Sequence, residues 1–361
     1  MTDQTIFANA RLILNQEVVA GSLVIADGFI TDINQGASVP KGSIDLQGDY
    51  LSPGLMELHT DNVERHLEPR PKVSWPFRAA ILAHDRELAG TGITTVFDAI
   101  RVGSMVSDKG AGSNKYARQM TNEIMSARAA GLLRISHHIH LRAEVCSETL
   151  IDELDEFSIE DRIGIVSIMD HTPGQRQFVD LSKFETYTRG KRSYTDAQWN
   201  AYLELLYGLR ARLGKSHEAA TVAAAKRLGA TLASHDDTTV AQVATSHAYG
   251  IATIMGAPNL IRGGSHSGNV AAAELAQMDR LDILSSDYVP AGLLMAAVQL
   301  GDIWGNLARG MRTVTDAPAQ AVGLLDRGTL AVGQRADLIR FAIKDQTPIL
   351  HETWSAGRRV S

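Results

Sequence analysis

The sequence holds a single cysteine, Cys146, so no disulfide can form within the chain. A lone thiol fits a reducing compartment. With no partner base visible beside it, Cys146 reads as a small buried residue and not as a nucleophile. Basic residues are outnumbered: 35 Lys and Arg stand against 41 Asp and Glu, a formal charge of -6. A general nucleic-acid binder would usually carry the opposite balance, so no nucleic-acid partner is expected. A local group of arginines can still hold an anionic substrate, because near charges outweigh the mean field. No stretch approaches the ~20 apolar residues that cross a bilayer, so no membrane partner is expected. The start, MTDQTIFANARLILNQ, lacks a basic segment followed by an apolar run. No signal peptide is expected, and the cytoplasm is the expected location. Short-period repeats and low-complexity linkers are absent too.

What is present suffices for one large domain and a small one: 361 residues, 44% of them apolar. Residues 6–14, 17–26 and 29–33 are strand-like and separated by the turn signals Asn15-Gln16 and Asp27-Gly28. Asp-Gly between two strand-like runs predicts a hairpin. The other end has similar texture, with a GQRAD turn leading into LIRFAI and a last strand over 351–360. Neither end can build its own core. Residues 1–52 and 326–361 are therefore expected to pair into one small β domain.

Residues 53–325 follow a different rhythm. Strand-like runs at 54–61, 93–99, 135–145, 163–171, 231–236, 251–257 and 281–287 alternate with helical stretches at 77–89, 116–130, 197–212 and 219–228. Such alternation predicts βα units around a parallel barrel, an α/β fold of the (β/α)8, TIM-like type. In a barrel, alternate strand residues point inward. On the first strand that puts Met56 and Leu58 against the helices and Glu57, His59 and Asp61 inside. On the third, Ile139, Leu141 and Ala143 oppose His140, Arg142 and Glu144. On the fourth, Val166 and Ile168 oppose Ser167, Met169 and His171, and on the last Ile283, Ser285 and Asp287 share a face.

Polar groups thus gather inside, near the strand C-termini, where barrel enzymes keep their chemistry. His59 and Asp61 can reach one ion, and Glu144, His235 and Asp287 end three other strands. Imidazole mixed with carboxylate suits Zn, with Mn or Fe as alternatives, better than Mg or Ca. A bound divalent metal would acidify water, and a carboxylate such as Asp287 would take the proton. Any one of these histidines alone would read as a satisfied structural group; five such residues at four strand ends do not.

The segments LSPGLMELHTDNVERHLEPRPKVSWP, HIHLRAEV, SIMDHTPGQRQF, ASHDDTT, MGAPNLIRGGSHSGNVAAAELA and LDILSSDYVPAGLL carry a resemblance. They resemble the amidohydrolase superfamily and, within it, the phosphonate-catabolism branch of α-D-ribose 1-methylphosphonate 5-triphosphate diphosphatases. The closing DRGTLAVGQRADL matches the superfamily's return to its small β domain. The resemblance covers nearly the whole chain. It implies hydrolysis of a phosphorylated ribose, a small-molecule substrate, to a 5-phosphate and pyrophosphate. It also implies that His59 and Asp61 form the first-strand metal motif, as HxD where HxH is commoner. Glu144 falls at the bridging carboxylate, His235 at the fifth-strand ligand and Asp287 at the last-strand acid. Asn62 of HTDN and His266 of RGGSHSGN join the substrate-binding set on the same ground.

One departure stands out. Barrel units take about 30 residues each. Between His235 and the MGAPN strand there is too little chain for a helix, a sixth strand and another helix. Either one βα unit is deleted or a segment is missing from this sequence. A defect is expected between His235 and Gly256.

A triphosphate needs concentrated positive charge. Arg262 precedes a glycine pair, and Ser265, Ser267 and Asn269 lead into the AAAELA helix, whose free N–H groups are expected to favour an anion. Gln175 and Arg176 follow His171, and Arg65, Arg70 and Lys72 follow the first strand. His137 and His217 read as ordinary surface or packing histidines. Hydrolysis of a cyclic amide, or deamination, is the alternative chemistry for such a scaffold, and a catalytically inert subunit is a third reading. A homo-oligomer is left open.

Overall fold

The computed structural model describes residues 4–70, 73–105, 115–174, 181–191, 194–234, 240–264 and 270–361. Both chain ends enter one sheet. Its order runs Arg358–Arg359, Thr347–Ser355, Leu338–Lys344, Tyr50–Pro53, Gln4–Ile13, Val18–Ala26, Phe29–Gln35, with Ile44–Asp45 on Gln4–Ile13. The two ends meet where Leu338–Lys344 pairs antiparallel with Tyr50–Pro53. The hairpin at Asp27-Gly28 forms because both residues take positive φ, 53° and 86°, which matches the twist of the flanking strands. Phe7, Leu12, Leu23, Ile30, Leu51 and Leu338 make the sheet's own core.

Residues after Pro53 build parallel strands around a second core. Five of them form one sheet in the order Thr231–Ser234, Ile163–Met169, Ser136–Glu144, Ile93–Val102, Leu55–Thr60. Two more, Ile254–Gly256 and Ile283–Ser285, pair in parallel as a separate sheet. The two sheets meet at the first and last strands, where Thr60 bridges Asp287. They do not meet on the other side among the described residues. There the described residues between Ser234 and Ile254 form one helix, Val240–Ala248, and no strand.

Alternation holds on the third strand: Ile139, Leu141 and Ala143 pack with Met120 and Ile124 of the helix Ala117–Ala129. It fails on the first. Met56 and Leu58, expected against the helices, pack with Phe97, Ile165, Ile283 and Ala319. The register with Ile93–Val102 slips between Leu55 and Met56 and again between Glu57 and Thr60. A slipped strand places two successive side chains on the same side. Leu58 and His59 accordingly both line the cavity described below. The two helices expected at 197–212 and 219–228 are one run. Asp196–Leu209, opened by a Thr195–Gln198 capping box, continues through a π-helical turn, Arg210–Gly214, into Lys215–Leu228. The turn carries Arg210, whose guanidinium pairs with the fully buried Asp170. Among the described residues, no helix is long and apolar enough to cross a membrane.

Candidate active site

A cavity of about 210 Å³ opens where the two barrel sheets meet. The larger sheet lines it with His59, Asp61, His140 and Arg142; the smaller side adds Asn259, Arg262, Asp287 and Tyr288. One donor atom each from His59, Asp61 and Asp287 lies within 4.8 Å of the others. His59 Nε2 is 3.7 Å from Asp61 Oδ1. Asp61 also accepts a hydrogen bond from the buried Arg142, which offsets its charge beside the second carboxylate. Asp287 has φ of 56°, a left-handed conformation that Asp tolerates better than most residues.

The seam that brings Asp287 to the first strand is built by side chains as much as by backbone. Thr60 Oγ1 donates to the Asp287 carbonyl at 2.8 Å. The Glu57 carboxylate accepts the N–H of His59 at 2.7 Å and that of Ser286 at 2.5 Å, tying first strand to last. Burial pushes the Glu57 carboxyl up to about 8. Its expected place inside the cavity is thus taken by Leu58, for the same register slip.

Other expected residues fall differently. Glu144 is buried and does not line the cavity; its carboxylate is bonded by His171. Burial works against its charge, but His171 outweighs burial and its pKa is lowered. Asn62 is turned away from the cavity, its amide nitrogen 2.8 Å from Glu87 Oε2 and 3.0 Å from His84 Nδ1. Arg262 ends the helix Ala257–Arg262 and reaches the cavity wall. One of the N–H groups expected to face an anion, that of Ala272 opening the helix Ala272–Gln277, is instead given to Asn259 Oδ1 at 2.9 Å. Lys72, Gln175, Arg176, His235, Ser265, His266, Ser267 and Asn269 lie outside the described residues. Cys146 is buried, as expected, beside Asp170 and Thr172.

Arg142 was placed inside by alternation but given no role, and Asn259 stood unmarked within MGAPN. His137 corrects a plainer reading. It is neither at the surface nor in ordinary packing but fully buried between Asp98 and Asp85. The signal was present on the helix Phe77–Gly90, where His84 and Asp85 share the core-facing spacing of Ile81 and Leu88.

One imidazole and two carboxylates converging on a partly enclosed cavity suit a small divalent cation, which takes nitrogen and oxygen donors together. The same cavity has a guanidinium at Arg142 and another at Arg262, so anionic groups of a ligand would meet positive charge on two walls.

The solved structure of 5-methylcytosine deaminase from Klebsiella pneumoniae superposes with a TM-score of 0.64 at 17% identity, over 99% of this chain and 98% of that one. Dihydropyrimidinase from Brevibacillus agri NCHU1002 gives 0.56 at 13% identity, over 99% and 94%. The fold is thus that of the amidohydrolase-type barrel enzymes. No family model matches the chain. Alpha-D-ribose 1-methylphosphonate 5-triphosphate diphosphatase of Escherichia coli strain K12 is 41% identical over 378 residues, covering 98% of this chain and 100% of the relative. The chain belongs to the family of these diphosphatases. The aligned length exceeds the chain's own 361 residues, so the alignment carries gaps on this chain's side.

Proposed function

We propose that the chain hydrolyses α-D-ribose 1-methylphosphonate 5-triphosphate to the 5-phosphate and pyrophosphate, as an enzyme of phosphonate catabolism. Full-length identity of 41% to a relative named for that activity carries the reading. The cyclic-amide and deaminase alternatives draw on fold likeness alone, at 13–17% identity.

In this reading residues 1–52 and 326–361 form the small β domain and residues 53–325 the hydrolase barrel. The short stretch between Ser234 and Ile254, whose described residues hold one helix and no strand, supports a barrel that has lost its sixth unit. His59, Asp61 and Asp287 would hold a divalent metal, with zinc the best match to the donors. Glu144, His171 and His235 belong to its surroundings in the proposal. When bound, the metal supplies an acidified water and draws charge from a phosphoryl oxygen. The Asp287 carboxylate would accept the water's proton. Water oxygen adds to phosphorus, the anhydride between the first and second phosphates breaks, and pyrophosphate leaves with the electron pair. Arg262 and Arg142 stabilise the charge gathering on the leaving group. Gln175, Arg176, Ser265, His266 and Asn269 complete the phosphate-binding set of the proposal. Asn62 is not part of it, because its amide faces Glu87 and His84. The single buried Cys146 suits a reducing location, the cytoplasm.

The test is product analysis with a ribose 5-triphosphate. Pyrophosphate and a 5-phosphate in equal amounts support the reading. Orthophosphate alone overturns it.

A further inference from the structure

Behind the strand that carries His59 and Asp61 runs a buried chain of polar groups that the cavity does not use. His84, on the helix Phe77–Gly90, and His137, on the strand Ser136–Glu144, both bond Asp98 on the strand between them. His84 Nε2 lies 2.8 Å from Asp98 Oδ1, and His137 Nδ1 lies 2.7 Å from Oδ2. His137 Nε2 reaches Asp85 Oδ1 at 3.3 Å. All four residues are 1% exposed or less. Asp85 in turn accepts the N–H groups of Arg134, at 2.8 Å, and Ile135, at 3.2 Å.

These contacts fix where the protons sit. The Asn62 amide nitrogen, 3.0 Å from His84 Nδ1, can only donate. His84 Nδ1 is therefore bare, and its proton is on Nε2, given to Asp98. His137 has a carboxylate oxygen at each nitrogen, which favours the doubly protonated ring. Burial opposes that charge, but Asp98 and Asp85 outweigh it and push the ring's pKa up to about 9. The four groups satisfy one another at hydrogen-bond lengths. Each therefore has a protein partner without an ion.

The near end of the chain touches the cavity's frame. Asn62 follows Asp61 directly, and its N–H lies 3.3 Å from Thr60 Oγ1, the hydroxyl that donates to the Asp287 carbonyl. Its second amide proton goes to Glu87, which His66 and Arg65 hold from the other side. In HTDN, then, His59 and Asp61 face the cavity, while Thr60 and Asn62 fasten the strand end behind them.

We propose that the chain Asp85–His137–Asp98–His84 positions Asp61 by locking the Asn62 amide. His84 and Asn62 are positioning residues that touch neither metal nor substrate. The inference rests on the hydrolase reading above, and it concerns how that site is held in shape.

The test is a double-mutant cycle on the full-length protein with Asn62→Leu, His84→Phe and both together. Zinc affinity of the metal-stripped protein is measured by calorimetry, with kcat and KM for pyrophosphate release at saturating zinc, and the thermal midpoint. Groups that orient metal ligands typically contribute 10- to 100-fold in affinity or activity. Each single variant should lose about tenfold in zinc affinity and in kcat, with KM little changed. The double variant should be no worse than the poorer single one, because both act through one contact. Wild-type zinc affinity and kcat in the folded single variants, whatever their thermal midpoints, would overturn the proposal, as would losses that simply add. Should His84→Phe fail to fold, Asn62→Leu paired with Asp98→Asn carries the same cycle. Wild-type protein that releases no pyrophosphate would sink the diphosphatase reading, and zinc affinity would still report on the positioning.

Discussion

The two halves of the barrel differ in how much backbone holds them. From Leu55 to Ser234, five strands share one parallel sheet, and the longest, Ile93–Val102, pairs along eight residues with Ser136–Glu144. From Ile254 to Ser285, two strands pair over three residues each. Yet the cavity draws on both, with His59, Asp61 and Arg142 from the first half and Asn259, Arg262 and Asp287 from the second. The rigid half sets one side of the site. The short half depends on the seam at Thr60, Glu57 and Asp287 to meet it.

The largest effect is expected at Asp287, the short half's contribution to chemistry. A general base typically supplies ~10²–10⁴-fold in rate. Asp287→Asn should lose that order of kcat in steady-state assays, with KM changed much less, provided that metal content is held equal. Near-normal turnover in a fully metallated variant would remove Asp287 from the mechanism. Next comes Arg262, whose guanidinium meets phosphate in the proposal. A charge-assisted hydrogen bond contributes about 1.5–3 kcal/mol. Arg262→Ala should therefore raise KM for the triphosphate by roughly 10- to 100-fold, while inhibition by the monophosphate product moves less. Equal weakening of both would place Arg262 on some other part of the substrate.

At the seam itself, Thr60→Val keeps the shape and removes the hydroxyl that holds Asp287. About 1 kcal/mol of stability should be lost, a typical net value for one hydrogen bond, together with a few-fold loss of kcat. Loss of stability with unchanged kcat would show that the halves stay registered without it. The smallest effect belongs to the rigid half. His137 is raised from 6.5 to about 9, so its protonated form stabilises the fold. That contribution is fully present below pH 6.5 and is lost as pH rises through about 9. Denaturant midpoints of the wild type should fall over that window, and those of His137→Gln should fall less. Parallel profiles would contradict the charged ring.

How legible this was depended on backbone regularity. Where a strand keeps its register with the first strand's neighbour, as Ser136–Glu144 does with Ile93–Val102, alternation alone put His140 and Arg142 inside. Leu55–Thr60 slips twice, and the same rule then misplaced Met56, Leu58 and Glu57. A slip costs no particular residue type, so nothing in the letters announces it. Counting residues raised the expectation of a lost unit before Ile254, because a βα unit needs a minimum length of chain; that expectation stays part of the proposal. The cluster of His84, Asp98 and His137 was not, since its members come from a helix and two strands far apart in sequence. Asn62 follows the ligand motif so closely that a role toward substrate was the natural inference; its amide points the other way.

The central claim is that this cavity breaks a triphosphate between its first and second phosphates. Phosphorus NMR of a ribose 5-triphosphate incubated with zinc-loaded wild-type protein and with His59→Ala tests it directly. The account predicts pyrophosphate and the 5-phosphate growing together with the wild type, and neither with the variant. Orthophosphate and a diphosphate from the wild type, or equal turnover by the variant, would contradict it.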